Sequence, residues 1–329
     1  MRVAVLILWL ATLPTAWPAP PLRIESTVDA MGSTFSVVAY GDDRNRLQAA
    51  VDIAFEEVRR LDNLLSNYKP RSEWSKVNRE AASHPVRVTP ELFALLDACL
   101  AYSRATEGAF DITVGPLVRT WGFYKGTGRL PHRAEIRAAL LRVGYQKVVL
   151  DRENSTVSFS REGVEIDPGG IGKGYAVDRI VDLLREQNIA SALVSAGGSS
   201  IYGLGAPPGE DGWKVKIRHP RNPGTEPPVG DVTLRDSAMS TSGTSEKFFM
   251  SGGKMYSHIF DPRSGYPAPG MLSVTVLAAR TIDTEAWTKP MFILGKQWAK
   301  RRKPRDRDGQ PYRVFFCEDR TRIACAWLQ

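Results

Sequence analysis

Apolar residues return at alternating four- and three-residue steps through Leu47, Val51, Ala54, Val58, Leu61 and Leu65. That spacing keeps one face of a helix apolar and predicts an amphipathic helix over 45–66. A second stripe, Leu92, Leu95, Leu96, Cys99 and Leu100, follows Thr89 and Pro90. Thr suits the cap and Pro the first helical position, where a missing N–H is harmless. A shorter helical pattern over 133–143 stops at Gly144. "YQKVVLD" and "TVSFS" then alternate with period two and predict a hairpin. Val177, Ile180, Val181 and Leu184 mark another helix. Beyond it the period changes to two. Strands are predicted at "SALVSAGG", "WKVKIRH", "GDVTLRD", "YSHIFD" and "LSVTVLAA", then a helical stretch from about Thr284 and a terminal hairpin, "YRVFFCED" with "TRIACAWL". Helices dominate the first half and strands the second, an α+β pattern without regular βαβ alternation. No internal repeat is present, and "RHPRNPGTEPPVGD" (218–231) reads as a surface loop.

Composition narrows this picture. With 329 residues, 43% of them hydrophobic, the chain can bury a full core in one large domain or two small ones. The net charge is +8, with much of the excess in "KRRKPRDRDGQPYR" (300–313). Acidic residues are mixed in and aromatic residues do not interleave, so a solvated loop is expected there and no nucleic-acid partner. Residues 1–20 combine Arg2, an apolar run over 3–10, and small residues with prolines near Ala16 and Ala19. This reads as a secretory signal peptide, too short in its apolar run for a stable membrane anchor. The expected product is an exported, periplasmic, soluble protein whose folded domain spans 23–329. The cysteines are Cys99, Cys317 and Cys325. Cys99 belongs to a helical stripe and is expected to be a buried small hydrophobe. A turn centred on Asp319-Arg320 would put Cys317 and Cys325 out of register, so no disulfide is expected. The four histidines are scattered, and no Cys/His metal spacing occurs.

"DPGGIGKGYAVD" (167–178) is the first stretch with chemical content. It lacks the spacing of a Walker A loop and of a dinucleotide fingerprint. A glycine-rich turn opening a helix still presents free N–H groups and the positive end of the helix dipole, and Lys173 adds a full charge. The stretch suits an anion. Five further polar or glycine-rich stretches interrupt apolar elements: "MGSTF" (31–35), "SNYKPRSEWSKVN" (66–78), "EGAFDITVGPLVRTWGF" (107–123), "STSGTSEKF" (240–248) and "YSHIFDPRSGYP" (256–267).

Taken in chain order, the six stretches closely resemble the ApbE family of FAD:protein FMN transferases, over about 24–295. The resemblance implies a single α+β domain with a flavin cleft between its lobes. It implies an enzyme that splits FAD, attaches FMN through a phosphoester bond to a Thr of an acceptor protein, and releases AMP. FAD hydrolysis to FMN and AMP, or FAD binding without turnover, are the alternatives within the same fold. No "DG[AS]T[SA]T"-like acceptor sequence occurs in this chain, so a separate exported acceptor is implied.

The resemblance also marks positions. Met31 matches a flavin-contacting Met and Tyr68 an aromatic stacking residue. Ala109, Phe110 and Asp111 match a segment along FAD, and Asp167 and Lys173 match FAD contacts in the glycine loop. His258 and Ile259 fall in the family's "HxxDP" segment beside the flavin. His258 is the candidate base for the acceptor hydroxyl, and Lys173 the candidate for neutralising phosphate charge. Family members use Mg2+, with Gly170 at a position whose carbonyl helps hold it. The remaining ligands come from a pattern A-D-A-x-x-T-A-x-F-x-x-G, and here the chain departs. Aligning "TIDTEAWTKPMFILG" (281–295) on Phe292 and Gly295 puts Glu285 at the Asp position and Lys289 at the Thr position, with Thr288 one residue off. Glu keeps hard oxygen ligands. A protonated Lys has no lone pair to offer, and its charge opposes a metal. On a helix, Glu285 and Lys289 lie at i and i+4 on one face, so an ion pair at weakened metal affinity is expected.

Overall fold

A computed structural model describes residues 21–124, 126–222, 224–306 and 309–328. The signal-peptide reading falls on 1–20, outside the described residues. Among the described residues no helix is long and apolar enough to cross a membrane.

The chain opens with a hairpin of β1 (Leu22–Ala30) and β2 (Ser33–Gly41). Ala30 pairs with Ser33, so Met31 and Gly32 alone form the turn, both at positive φ (54° and 68°). A two-residue turn of this kind matches the twist of the strands but suits Gly or Asn, so Met31 is held in a conformation its side chain disfavours. Helix α1 (Arg44–Leu65) starts at an Asp43 cap that accepts from the N–H groups of Asn45 and Arg46, and buries the stripe read from the sequence. Helix α2 (Glu73–Glu80), short strand β3 (Val86–Arg87) and α3 (Pro90–Ala105) follow; the Thr89 hydroxyl caps α3 by accepting the Leu92 N–H. After a single 3-10 turn, Ile112–Val114, come α4 (Gly115–Thr120) and α5 (Arg133–Leu140). Strands β4 (Val148–Asp151) and β5 (Thr156–Phe159) pair as expected, with β3 added on the β5 edge.

Helix α6 (Gly172–Glu186) begins inside the glycine loop. Beyond it lie β6 (Ser191–Ala196), β7 (Ser200–Leu204), β8 (Trp213–Ile217), β9 (Gly230–Leu234) and β10 (Ser237–Gly243). The small hairpin β11 (Phe248–Ser251) with β12 (Lys254–Ser257) precedes β13 (Met271–Ala278), α7 (Thr281–Arg302), β14 (Arg313–Asp319) and β15 (Ile323–Trp327).

The main sheet has eight antiparallel strands in the order β1-β2-β6-β7-β10-β13-β14-β15, so the opening hairpin is completed by strands from the second half of the chain. One face packs against α1, α6 and α7. The hairpin β8–β9 covers part of the other face with Trp213, Ile217, Val232 and Leu234. A second lobe is built from α2, α3 and the sheet β3-β5-β4, whose core includes Trp74, Leu96 and Phe159. That core continues into Ile171 beside α6 and Ile282 and Ala286 on α7, which ties the lobes together. This is the single α+β domain that the sequence implied.

Three readings change. "YSHIFD" is a strand only to Ser257; His258 is in a loop, with an isolated bridge from Phe260 to Pro267. The last long helix starts at Thr281, not near Thr284, because Asp178 of α6 accepts the Thr281 and Ile282 N–H groups at 2.7 and 3.0 Å. Cys317 and Cys325 form a disulfide. They are paired partners across β14–β15, since Asp319 faces Ile323 and the turn is centred on Thr321 rather than Asp319-Arg320. Cys99 is fully buried, and burial pushes its thiol far above the usual range. In the basic stretch, Lys300, Arg301 and Arg302 form the exposed last turn of α7, where positive charge complements the helix dipole.

Candidate functional site

A cavity of about 800 Å³ opens between the lobes, at the start of α6 and beside α7. Twelve of the residues singled out from the sequence line it, among them Met31, Tyr68, Asp167, Lys173, His258 and Lys289. Thr288 does not. It is fully buried behind the wall, its hydroxyl donating to the Glu285 carbonyl at 2.7 Å and lying 2.8 Å from Ser242 Oγ. A hydroxyl has one proton, so Ser242 is the donor of that second bond.

One end of the cavity is aromatic. Tyr68 is half exposed and stacks on Tyr124 at 4.9 Å between centroids, while the Arg119 guanidinium lies 3.7 Å from the Tyr124 ring centre. Burial, then the nearby Asp167, push the Tyr68 hydroxyl above its usual range. Ala109 and Phe110 are buried in the lining, with the Phe110 ring on the side of Gly170. Asp111 shares the wall, but its oxygens are engaged: they accept the Thr113 N–H at 2.8 Å, the Thr113 hydroxyl at 2.7 Å and the Tyr145 N–H at 2.7 Å. Its carboxyl is raised, chiefly by burial, against the pull of those donors.

His258 and Ile259 enter from the loop after β12, with Phe123 edge-on to the imidazole at 6.4 Å. His258 Nδ1 lies 3.1 Å from the Lys247 carbonyl. A carbonyl only accepts, so Nδ1 carries the proton and Nε2 keeps a lone pair. Burial holds the imidazole below its usual range, helped by the charges of Lys247 and Lys289 and opposed by Glu246 and by the hydrogen bond to the Lys247 carbonyl.

Asp167, beside Tyr68, accepts from Asn67 Nδ2 and the Gly169 N–H, both at 2.8 Å, and burial raises its carboxyl. The other end is charged. Lys173, in the first turn of α6, donates to Ser199 Oγ at 2.6 Å. The residue flanking this helix offers it no side-chain cap; instead the Glu285 carboxylate of α7 accepts the Gly174 N–H in its first turn. Close approach requires glycine at 174 and crowds any side chain at 172. A methyl group on Gly174 would sit 2.6 Å from the Thr281 carbonyl and 2.7 Å from Glu285 Oε2. One on Gly172 would press Met31 Cε at 3.2 Å, so the strained hairpin turn and the glycine loop meet here. Met31 is itself anchored, its N–H donating to Asp62 at 3.0 Å. Asp62, Asn67 and Ser199 line the cavity without having been singled out as site residues. Asn67 lay inside a quoted stretch and Ser199 just after a Gly-Gly pair, but no pattern marks Asp62 on its helix.

The residues at the metal positions do not fit a divalent cation. Glu285 is buried, and one of its carboxylate oxygens accepts the Gly174 N–H. The other lies 4.0 Å from Lys289 Nζ, which also donates to the Glu285 carbonyl at 3.0 Å. Gly170 lies directly against the Lys289 stem. Burial lowers the Lys289 ammonium and Glu285 pulls it back up. Among the described residues, no group of three His, Cys, Asp or Glu could hold a metal ion.

Comparison with known proteins agrees with this geometry. The sequence profile of the ApbE family matches residues 31–308. The chain belongs to the ApbE family. It is 35% identical over 268 residues to an FAD:protein FMN transferase of Klebsiella pneumoniae, covering 80% of each chain. Among solved structures, it superposes on the ApbE protein of Thermotoga maritima with a TM-score of 0.83 at 30% identity, covering 93% of this chain and 96% of that one. The apo flavinyl transferase ApbE of Pseudomonas stutzeri gives 0.80 at 26%, covering 94% and 96%. The family and the α+β fold expected from the six ordered stretches are therefore shown.

Proposed function

We propose that the chain is an FAD:protein FMN transferase acting on an exported acceptor. The observation that carries this is the single cavity with an aromatic end and a cationic, glycine-lined end. Its volume is within the range that holds cofactors, and a dinucleotide with one flat ring system and one pyrophosphate is complementary to both ends. Tyr68, Phe110 and Met31 receive the isoalloxazine region, with Ala109, Asp111 and Ile259 along the wall. Lys173, Asp167 and the loop at Gly170 face the pyrophosphate.

Phosphoryl transfer asks mainly for positioning and charge neutralisation. The acceptor Thr oxygen attacks the FMN phosphorus, the bridging P–O bond breaks, and AMP leaves with its oxygen. The hydroxyl proton goes to His258 Nε2, the nitrogen left free by the Lys247 carbonyl. Lys173 offsets charge on the phosphates. Export is supported by the pattern of residues 1–20 and by the Cys317–Cys325 disulfide, which suits an oxidising compartment.

The test is incubation of the purified protein with FAD, with and without an exported flavoprotein bearing an accessible Thr. AMP release and a mass gain on the acceptor of FMN less one water are expected. AMP without acceptor modification would make it a pyrophosphatase. FAD bound with no AMP would make it a flavin-binding protein.

A further inference from the structure

Lys289 stands at the position where the family pattern read from the sequence puts a metal-ligating Thr. It projects from the third turn of α7 into the cavity, its stem against Gly170 and its ammonium on the Glu285 carbonyl. Glu285 is clamped from both sides, by the Gly174 N–H of α6 and by Lys289 of its own helix. Thr288, one residue away, has its hydroxyl turned into the interior toward Ser242. The carboxylate is thus already neutralised, and a divalent ion entering here would have to displace an ammonium of like sign.

The second lysine sharpens the point. Lys173 lines the same end of the cavity, and its charge pushes against that of Lys289. Two cations converge on the first turn of α6 beside one buried carboxylate, Glu285, and repel each other until a further anion lies between them. A pyrophosphate supplies two negative charges at that place.

We propose that Lys289 is the resident cation of this cleft: its ammonium, tethered to Glu285, replaces a divalent metal against the pyrophosphate of FAD. The inference rests on the FAD reading above. It makes FAD binding by this chain independent of divalent ions, whereas restoring the family's residues should install a metal requirement.

The experiment uses the purified mature protein, FAD titrated by flavin fluorescence in EDTA or in excess Mg2+, and Mn2+ binding followed by its free-ion paramagnetic resonance signal. For the unmodified protein, FAD affinity should differ by less than about twofold between EDTA and Mg2+, and the Mn2+ signal should stay that of the free ion with FAD present. For Lys289→Thr, affinity in EDTA should fall about tenfold or more, the scale of a lost charge-assisted hydrogen bond. Mg2+ should restore it, and one equivalent of Mn2+ should bind. The double variant with Glu285→Asp and Lys289→Thr should do the same. Circular dichroism melts identify any variant that fails to fold, and the measurements on the unmodified protein decide the matter without a variant. One equivalent of Mn2+ bound by the unmodified protein with FAD, or FAD affinity raised tenfold by Mg2+, overturns the inference alone. No FAD binding under any condition removes the FAD reading, and the inference with it.

Discussion

At the aromatic end of the cleft Tyr68 is half exposed and stacks on Tyr124. At the charged end Glu285 is 2% exposed, and its carboxylate is engaged by Gly174 of α6 and Lys289 of α7. The first end can adjust, because a stacked surface ring loses little by sliding. The second cannot, because moving one partner strands a buried charge. A flat ring system is tolerant of small displacements, whereas phosphoryl transfer is not. The rigid end is accordingly built where α6, α7 and the glycine loop meet.

The largest expected effect is on chemistry at the border of the two ends. His258→Gln should lower FMN transfer by about 100-fold or more, the range for removal of a general base, while FAD affinity changes little. Because burial holds the imidazole below its usual range, Nε2 stays unprotonated as pH falls past about 6.5. Transfer by the unmodified protein should therefore persist below that pH and decline only in more acidic buffer. A rate that halves already near pH 6.5 would mean an ordinary, solvent-exposed histidine.

Next comes the charged end itself. Glu285→Ala leaves the Gly174 N–H without its acceptor and the buried Lys289 ammonium without its counter-charge, and should cost about 3 kcal/mol of stability in urea titrations. A loss under about 1 kcal/mol would show that this end is as adaptable as the other.

Asp178, which caps α7, gives a pH-dependent measure of the same rigidity. Burial raises its carboxyl from 3.8 to about 6, against two N–H donors and Arg280. Its stabilising contribution is complete below the unfolded value near 4 and is lost as pH rises through 6. That is about 3 kcal/mol, at ~1.4 kcal/mol for each tenfold change. The stability difference between the unmodified protein and Asp178→Asn should shift by about that amount between pH 4 and 7, in favour of the variant at the higher pH. A constant difference would show that the donors fully offset burial.

At the aromatic end, Tyr68→Ala should weaken FAD binding by roughly 1–3 kcal/mol, by analogy with base–aromatic stacking, and leave the melting temperature unchanged. Unchanged FAD affinity would remove Tyr68 from the site. The smallest effect belongs to Arg119→Met, which removes the cation beneath Tyr124 and the pair with Glu165. Both groups are near the surface, so less than about 1 kcal/mol is expected in stability and in FAD binding. A larger loss would show that the aromatic end is braced from below.

Much of this was legible in the residues because the information is local. The α1 and α3 stripes, the Thr89 cap and the β4–β5 hairpin all depend on neighbours within a few positions. The opening hairpin was missed because Ile24 alone is buried in β1, its other residues being exposed or partly so, and its turn is a Met-Gly pair without the usual Asn or Asp. Strand β7 was missed for the opposite reason. It is five residues, all buried, with no alternation to detect. The disulfide turned on one residue of turn geometry, since centring on Thr321 rather than between 319 and 320 brings Cys317 opposite Cys325.

By itself the sequence determined the α+β class, the main helices with their buried faces, the family through six ordered stretches, and the unusual residue types at 285 and 289. Periodicity and capping carry that much, because they express the geometry of one helix or strand at a time. Only the tertiary structure decided that β1–β2 joins the sheet of the second half, that Thr288 turns inward, and that Glu285 is clasped by a glycine 111 residues earlier. Those outcomes depend on which surfaces bury each other. A carboxylate reads the same in sequence whether it faces water, a metal or a lysine, and its partner is chosen when α6 and α7 pack closely enough to exclude water from between them.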